Sequence, residues 1–461
     1  MARRSPKEPL FVVLGATGTG KSQLAVDLAT RFNGEIINGD AMQMYDGLPI
    51  ITNKITTDEQ QGITHHLLGN VALDQEPWTV GMFKKKASNI IREIRGRGRL
   101  PILVGGTHYY TQSLLFQDSL VGEDFEEDGS IKAHLSADEI SQRYPILDGP
   151  PEAILERLKE VDPVMANHWH PNEHRKIRRS LAIFLTTGRQ ASSIYQEQKL
   201  RKGTRKDENL SSDEAHSNNV PYDSPLLFWV HSDSEVLKRR LDGRIKKMID
   251  VGLLDEVKSM DSFLDTQKAS RSDVDLGRGI WISIGWKEFR PYLKALKAGS
   301  SSPDVLTRLY DSSIERTQIA TRQYAKRQVR WIRLKLRNAL AEAGLVDKLY
   351  LLDSSNVDEW EAKVSLPAID VAAKFLNGDM LPSPQRMSVP AQEILAPIEV
   401  SDEATDPNFR QECHICHVIS VTEHQWNIHL KGRRHRALLK KHGENANTRS
   451  LVNNNSTTEA T

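Results

Sequence analysis

The chain has 461 residues, enough for two or three domains. Hydrophobic residues make up 38% and charged residues 27%, and no apolar run approaches the roughly 18 residues of a membrane span. Lys and Arg number 62 against 61 Asp and Glu, so the net charge of +1 argues against a uniformly polybasic chain and directs attention to local basic stripes. The two cysteines, Cys413 and Cys416, do not make a disulfide-stapled secreted fold, and Met1-Ala2-Arg3-Arg4-Ser5-Pro6-Lys7 has no apolar h-region.

Leu10-Phe11-Val12-Val13-Leu14 is a short continuous apolar run, as expected of a buried parallel strand. It is followed by a complete P-loop, Gly15-Ala16-Thr17-Gly18-Thr19-Gly20-Lys21-Ser22, and then by a helical stretch, Gln23 to Ala29. The glycines let backbone N–H groups face an anion, and the helix N-terminus adds partial positive charge. Lys21 offers a point charge to phosphates, and the Ser22 hydroxyl is the expected Mg²⁺ ligand. The next strand, Gly34 to Asn38, delivers Asp40-Ala41-Met42-Gln43-Met44-Tyr45, a lone carboxylate and an amide where that strand should end. Pro77, Trp78, Met82 and Phe83 open a helix that runs to about Arg95. The strand Leu100-Pro101-Ile102-Leu103-Val104 ends in Gly105-Gly106-Thr107-His108-Tyr109-Tyr110, not in the metal-binding Asp of a P-loop hydrolase.

From 117 onward the pattern is helical and polar, with the basic run His174-Arg175-Lys176-Ile177-Arg178-Arg179 opening a helix. Residues 201–222 are charged, Ser/Asn-rich and aperiodic, and are expected to be a disordered loop. Leu226 to Val230 returns as a buried strand, with helices expected at 233–264, 280–298 and 303–340. The stretch Arg316 to Arg337 carries Arg316, Arg322, Lys326, Arg327, Arg330, Arg333, Lys335 and Arg337 without an acidic residue, interleaved with Gln323, Tyr324 and Trp331. Phosphate-binding cations mixed with stacking groups suit an RNA loop. A last strand is expected at 350–352, a closing helix at 356–377, and a linker at 379–410, where five prolines occur.

The C-terminal segment reads Cys413-x2-Cys416-x12-His429-x5-His435, a Zn²⁺ pattern of the CCHH finger type. Gln425, Trp426 and Ile428 are expected to fill its small core; Lys431, Arg433, Arg434 and Arg436 make it basic; His414, His417, His424 and His442 are competing ligands.

GATGTGKS, DAMQMY, LPIITNK, GGTHYY and TRQYAKRQVRWIR, in this order from about residue 10 to 340, resemble the tRNA dimethylallyltransferase (tRNA isopentenyltransferase) family in its eukaryotic form with a C-terminal finger. Two positions depart from the family pattern: Ala41, where members often carry Ser, and Ile282, where they often carry Gln. The resemblance implies transfer of a prenyl group from dimethylallyl diphosphate to N6 of the adenosine beside the anticodon. The P-loop, Gly15 to Ser22 with Gly18, Ala16, Thr17, Thr19, Gly20 and Lys21, would then hold the donor's diphosphate, joined by Arg244 of the RLxxRV-like segment Arg240 to Ile245. Asp40 and Thr107 are the catalytic candidates: a carboxylate in reach of the exocyclic amine can accept its proton, and the same carboxylate could sit near the Mg²⁺ shell.

The tRNA contacts implied are Asp40, Ala41, Met42, Gln43 and Thr107; Arg175, Lys176, Ile177, Arg178 and Arg179; and Arg322, Gln323, Lys326, Arg327 and Arg330. The partners are then the tRNA anticodon stem-loop and dimethylallyl diphosphate, the cofactors Mg²⁺ and a structural Zn²⁺ on Cys413, Cys416, His429 and His435. A monomer away from membranes is expected, cytoplasmic and compatible with mitochondrial and nuclear pools. A P-loop kinase of a small metabolite or nucleotide is the alternative.

The expected architecture is α/β: a P-loop parallel-sheet core in two parts, 1–116 and 223–378, interrupted by a helical insertion domain at 117–222. A linker at 379–410, the zinc finger at 411–442 and a disordered tail at 443–461 follow.

Overall fold

The computed structural model describes residues 5–116, 137–197, 224–269, 274–299, 301–396 and 409–440. The expected disordered loop at 201–222, the tail from 443 and His442 lie outside the described residues. The chain divides into two compact units, 1–120 with 210–397, and 121–209 with 398–461.

In the first unit, the apolar runs form a six-stranded sheet in the order β3-β2-β4-β1-β5-β6. The strands are β1 (Pro9–Gly15), β2 (Gly34–Asn38), β3 (His65–His66), β4 (Leu100–Val104), β5 (Ser224–His231) and β6 (Leu349–Asp353). Every pairing is parallel, with Phe11 opposite Ile102 and Leu226, so β1 lies at the centre. Both faces are covered, as a parallel sheet requires. On one face Phe11, Val13, Ile36, Ile102 and Phe228 pack against Leu24 and Leu28 of α1 (Lys21–Phe32) and Val371 and Phe375 of α13 (Leu366–Asn377). On the other, Val12, Leu14, Ile37, Leu103 and Trp229 meet Phe83 and Ile91 of α2 (Val80–Gly96), Leu114 of α3 (His108–Leu115) and Leu336. The first-unit helices also include α8 (Ser234–Asp250), α9 (Leu253–Ala269), α10 (Trp286–Ala298), α11 (Pro303–Trp331), α12 (Arg337–Glu342) and α14 (Val389–Ile394).

Three expectations are corrected. The single helix expected at 233–264 is two, because Gly252 turns the chain at φ +109° between α8 and α9. The basic stretch is not one helix through Arg337: α11 begins at Pro303 and passes through a π-helical turn, Ile332–Leu336, before α12. Residues 379–396 do not behave as a linker. Pro384 and Pro390 start short helical turns, a place where a missing N–H is harmless, Ala391 and Leu395 are buried, and Tyr350 Oη donates to Pro382 O at 2.8 Å.

In the second unit, α4 (Ala137–Arg143), α5 (Pro151–Val161), α6 (Pro163–His168) and α7 (His174–Thr187) enclose Leu147, Leu158, Met165 and Leu181. Residues 409–440 form a small ββα motif of their own: β7 (Gln411–Glu412) pairs antiparallel with β8 (Ile419–Ser420), and α15 (Glu423–Leu430) follows, capped by Thr422.

Candidate active site and Cys/His cluster

The site forms where β1, β2 and β4 end together, the place where an open α/β sheet leaves a crevice at its carboxyl edge. Gly15, Gly18 and Gly20 have φ of +148°, +82° and +95°. Their surroundings leave no room for side chains: a Cβ on Gly15 would lie 2.4 Å from Val230 O, and one on Gly20 would lie 2.5 Å from the Trp360 ring. The indole Nε1 of Trp360 is itself held by Asp27 Oδ2 at 3.2 Å, against the back of the loop. Thr19 Oγ1 and Lys21 Nζ donate to Ala16 O at 2.9 and 2.7 Å, and Arg244 Nη1, from α8, donates to Thr17 Oγ1 at 3.3 Å.

Burial lowers Lys21 to about 8, with Asp40 opposing the shift and Arg244 adding to it. Burial likewise lowers Arg244 to about 10. Two cations therefore converge on one loop with Asp40 in electrostatic reach of both. A site that crowds cations against desolvation is arranged for an anion.

Asp40 follows β2. Its Oδ1 accepts from Met42 N at 3.1 Å, its own N–H donates to Asn38 Oδ1 at 3.0 Å, and Asn38 Nδ2 donates to Leu67 O at 2.9 Å. Burial pushes its pKa above the usual carboxylate range, opposed by the Met42 amide and Lys21. Thr107, at the end of β4, accepts from Ala41 N at 3.0 Å, so the two strand ends are stitched together beside the carboxylate. Gln43 Nε2 donates to Asn53 O at 2.9 Å, tying the DAMQMY turn to the LPIITNK segment. That segment is anchored by Glu256 of α9, which accepts from Ile50 N and Ile51 N at 2.9 and 2.7 Å. A cavity of about 110 Å³ lies beside the turn, lined by Ala41, Met42, Tyr45, Val71, Trp78 and Tyr110 among others. Ser22 lies in the first turn of α1, and its hydroxyl has no hydrogen-bond partner among the described residues.

The expected nucleic-acid contacts sort by exposure. On α11, Gln323, Lys326, Arg327 and Arg330 face solvent, while Arg322 is ion-paired with Asp242 of α8. Arg337, counted with this basic stripe, is a structural residue: it is buried and donates to Ile394 O and Ala396 O at 2.6 and 2.9 Å. On α7, Arg175 and Arg179 are exposed and Lys176 pairs with Glu173 and lies over the Trp169 ring at 4.6 Å. Arg178 holds Leu147 O at 2.9 Å and Asp148 at 3.0 Å. The Ile177 side chain is 1% exposed in the insertion core, which leaves it no surface for RNA.

Sequence reasoning missed Gln328, His108, Trp360 and Glu256. Gln328 is 4% exposed; its Oε1 accepts from Thr17 N at 2.8 Å and its Nε2 donates to Gly106 O at 2.9 Å. The signal was a polar residue on the inner face of α11, in register with buried Thr321 and Ala325. His108 is buried next to Lys21, and burial holds it at about 3, so its ring is neutral.

In residues 409–440 the ligand atoms of Cys413, Cys416, His429 and His435 all lie within 4.8 Å of one another. The two sulfurs sit 3.5 and 3.4 Å from His435 Nδ1. A tetrahedral zinc with Zn–S of 2.3 Å and Zn–N of 2.0–2.1 Å would separate them by about 3.6 Å. His429 Nε2 is buried without a hydrogen-bond partner. The four residues can therefore hold a metal such as zinc, and His414, His417 and His424 are not in the cluster. The expected apolar core is corrected: Gln425 and Ile428 are exposed and Trp426 only half-buried, so the ligands themselves are the interior.

A parallel α/β sheet with a P-loop at the end of β1, and a carboxylate and a hydroxyl at the neighbouring strand ends, defines an enzyme that works on a phosphate ester. The model of the IPP transferase family matches residues 43–335, and the chain belongs to that family. It is 38% identical over 462 residues to a tRNA dimethylallyltransferase of Schizosaccharomyces pombe, covering 97% of this chain and 98% of the relative. It is 33% identical to one of Homo sapiens, covering 94% and 86%. The crystal structure of a eukaryotic dimethylallyltransferase acting on tRNA superposes with a TM-score of 0.74 at 32% identity, covering 96% of this chain and all of that one. Among the described residues, no helix is long and apolar enough to cross a membrane.

Proposed function

We propose that this chain is a tRNA dimethylallyltransferase, moving the five-carbon group of dimethylallyl diphosphate onto N6 of the adenosine beside the anticodon. The observation that carries this reading is the meeting of Asp40 and Thr107 with a phosphate loop that gathers Lys21 and Arg244. In this scheme the diphosphate lies on the loop amides and the two cations. The N6 lone pair attacks C1 of the donor, the C1–O bond breaks, its electron pair leaves on diphosphate, and the N6 proton passes to Asp40. The raised pKa of Asp40 suits a base, because proton transfer is most effective when the acceptor is matched to the working pH. The small, largely apolar cavity at Ala41, Met42 and Tyr110 has the character expected of a seat for a short branched hydrocarbon.

The unpartnered Ser22 hydroxyl beside a diphosphate fits a Mg²⁺, a hard cation with oxygen ligands. Bound there, the ion would neutralise charge on the leaving group. Cys413, Cys416, His429 and His435 would hold a structural Zn²⁺. Exposed Lys326, Arg327 and Arg330 on α11, with Arg175 and Arg179 on α7, are the groups we assign to the RNA backbone. The target base leaves its stack to reach Asp40, since chemistry on a base needs it extruded.

The decisive experiment incubates the protein with Mg²⁺, dimethylallyl diphosphate and unmodified tRNA bearing adenosines beside the anticodon, followed by nucleoside mass analysis. A prenyl mass gain on adenosine is expected. ATP turnover without RNA and no mass gain would overturn the reading in favour of a kinase.

A further inference from the structure

The inner face of α11 does more than pack. Gln328 bridges two segments far from it in sequence, 311 residues away at Thr17 and 222 at Gly106, and both ends of its carboxamide are bonded to backbone. A Cβ at Gly106 would fall 2.5 Å from Gln328 Nε2 and 2.8 Å from Asp40 Oδ2, so the amide and the carboxylate flank the same glycine. One turn earlier, burial raises the pKa of Tyr324, with the Asp40 charge adding to it. The opposite face of the same turns carries exposed Lys326, Arg327 and Arg330. An amide inside a core costs stability unless both ends are bonded, and an apolar residue would serve packing alone. Here both bonds go to the two loops that flank the chemistry.

We propose that Gln328 is a positioning residue, which locks the phosphate loop and the Gly106-Thr107 turn to the helix whose outer face meets RNA. It touches no reacting atom. Through it the donor on the loop and the base delivered along α11 share one geometry. The inference rests on the prenyl-transfer reading. In-line transfer requires the reacting atoms to be held about 3–3.5 Å apart and aligned, and a displacement of about 1 Å can cost about a hundredfold in rate.

The test uses the full chain with Gln328→Met, which keeps the length and removes both hydrogen bonds, and Gln328→Asn, which keeps the amide on a stem one methylene too short to span both partners. Gln328→Met is expected to lower kcat at least about tenfold and Gln328→Asn about threefold, with KM for tRNA held within about twofold. Calorimetry with inorganic pyrophosphate, without RNA, is expected to show weaker binding to both variants. A kcat of Gln328→Met within about twofold of the parent, or a loss confined to KM for tRNA, overturns the proposal. Should Gln328→Met fail to fold, Gln328→Asn decides by the same criteria. Should the parent chain transfer no prenyl group, the prenyl reading fails alone, and pyrophosphate binding by the two variants still decides the positioning role: affinity equal to the parent's refutes it.

Discussion

Around the P-loop a large apolar frame stands beneath the polar groups: Val12, Leu14, Phe11 and Trp229 are fully buried, and the loop above them is held by Thr17 N to Gln328 and by Thr19 and Lys21 to Ala16 O. In residues 409–440 the order is reversed. Its buried side chains are Cys413, Ser420 and His435, and the helix α15 buries nothing. The first region has an apolar frame to hold its shape before any ligand arrives, whereas the second has a Cys and His cluster at its centre in place of one. About 30 residues cannot enclose a core, and metal binding becomes folding energy. Changes at the first site should therefore alter chemistry on an intact scaffold, and changes at the second should alter folding and leave chemistry intact.

The sharpest way to break this contrast is Asp40→Ala. Turnover is expected to fall by about 10²–10⁴ with tRNA affinity and melting temperature kept, because the group lost is the one we propose as general base, on a standing frame. Loss of tRNA binding in step with activity, in a gel-shift titration, would defeat the assignment. Arg244→Ala comes next. Removing the buried cation we assign to the leaving group should lower kcat by about 10²–10³ in steady-state assays, with pyrophosphate affinity falling as well. A chelator, or Cys413→Ser, should unfold residues 409–440, weaken tRNA affinity more than turnover at saturating tRNA, and leave the main calorimetric transition in place. A main transition that collapses with the chelator would erase the distinction between the two regions.

A subtler probe is pH. Lys21 in the folded chain is depressed to about 8, so it loses its charge as pH rises through that value. The ratio kcat/KM for the donor, which reports the free enzyme, should decline there. The kcat should not, since bound diphosphate holds the proton on. The same depression means that the unfolded chain binds the extra proton between about 8 and 10.5, so this group alone makes the fold gain stability with rising pH over that window. Smallest of all, Arg330→Ala should weaken tRNA binding modestly and reduce the slope of log affinity against log salt by about 0.7–1, while Arg322→Ala, already paired with Asp242, should change that slope less.

Much of this was legible in the sequence because the signals are local. The short apolar runs Leu10 to Leu14, Leu100 to Val104 and Leu226 to Val230 became strands, within a residue or two. The Cys and His spacing alone selected the four residues that meet in space. What was not legible depends on partners distant in the chain. Glu256 reads as a surface acid on an amphipathic helix until the amides of Ile50 and Ile51 are set against it. Gln328 reads as one more polar residue in a basic stripe, and Arg337 as one more cation, until the fold turns them inward. The prolines at 384 and 390 signal a linker by composition, yet here they begin helical turns that pack on the sheet. Proline removes a donor and fixes φ; whether that ends a structure or begins one is decided by the residues after it.

The indole of Trp360, pressed against Gly20 and tethered to Asp27, has a further consequence. An aromatic ring in contact with the turn to which we assign the diphosphate is a natural optical reporter. Trp360, one of eight tryptophans in the chain, lies directly against Gly20 of that loop. Occupancy of the loop can thus be followed by intrinsic fluorescence in stopped flow, on the unlabelled protein and before any bond is made.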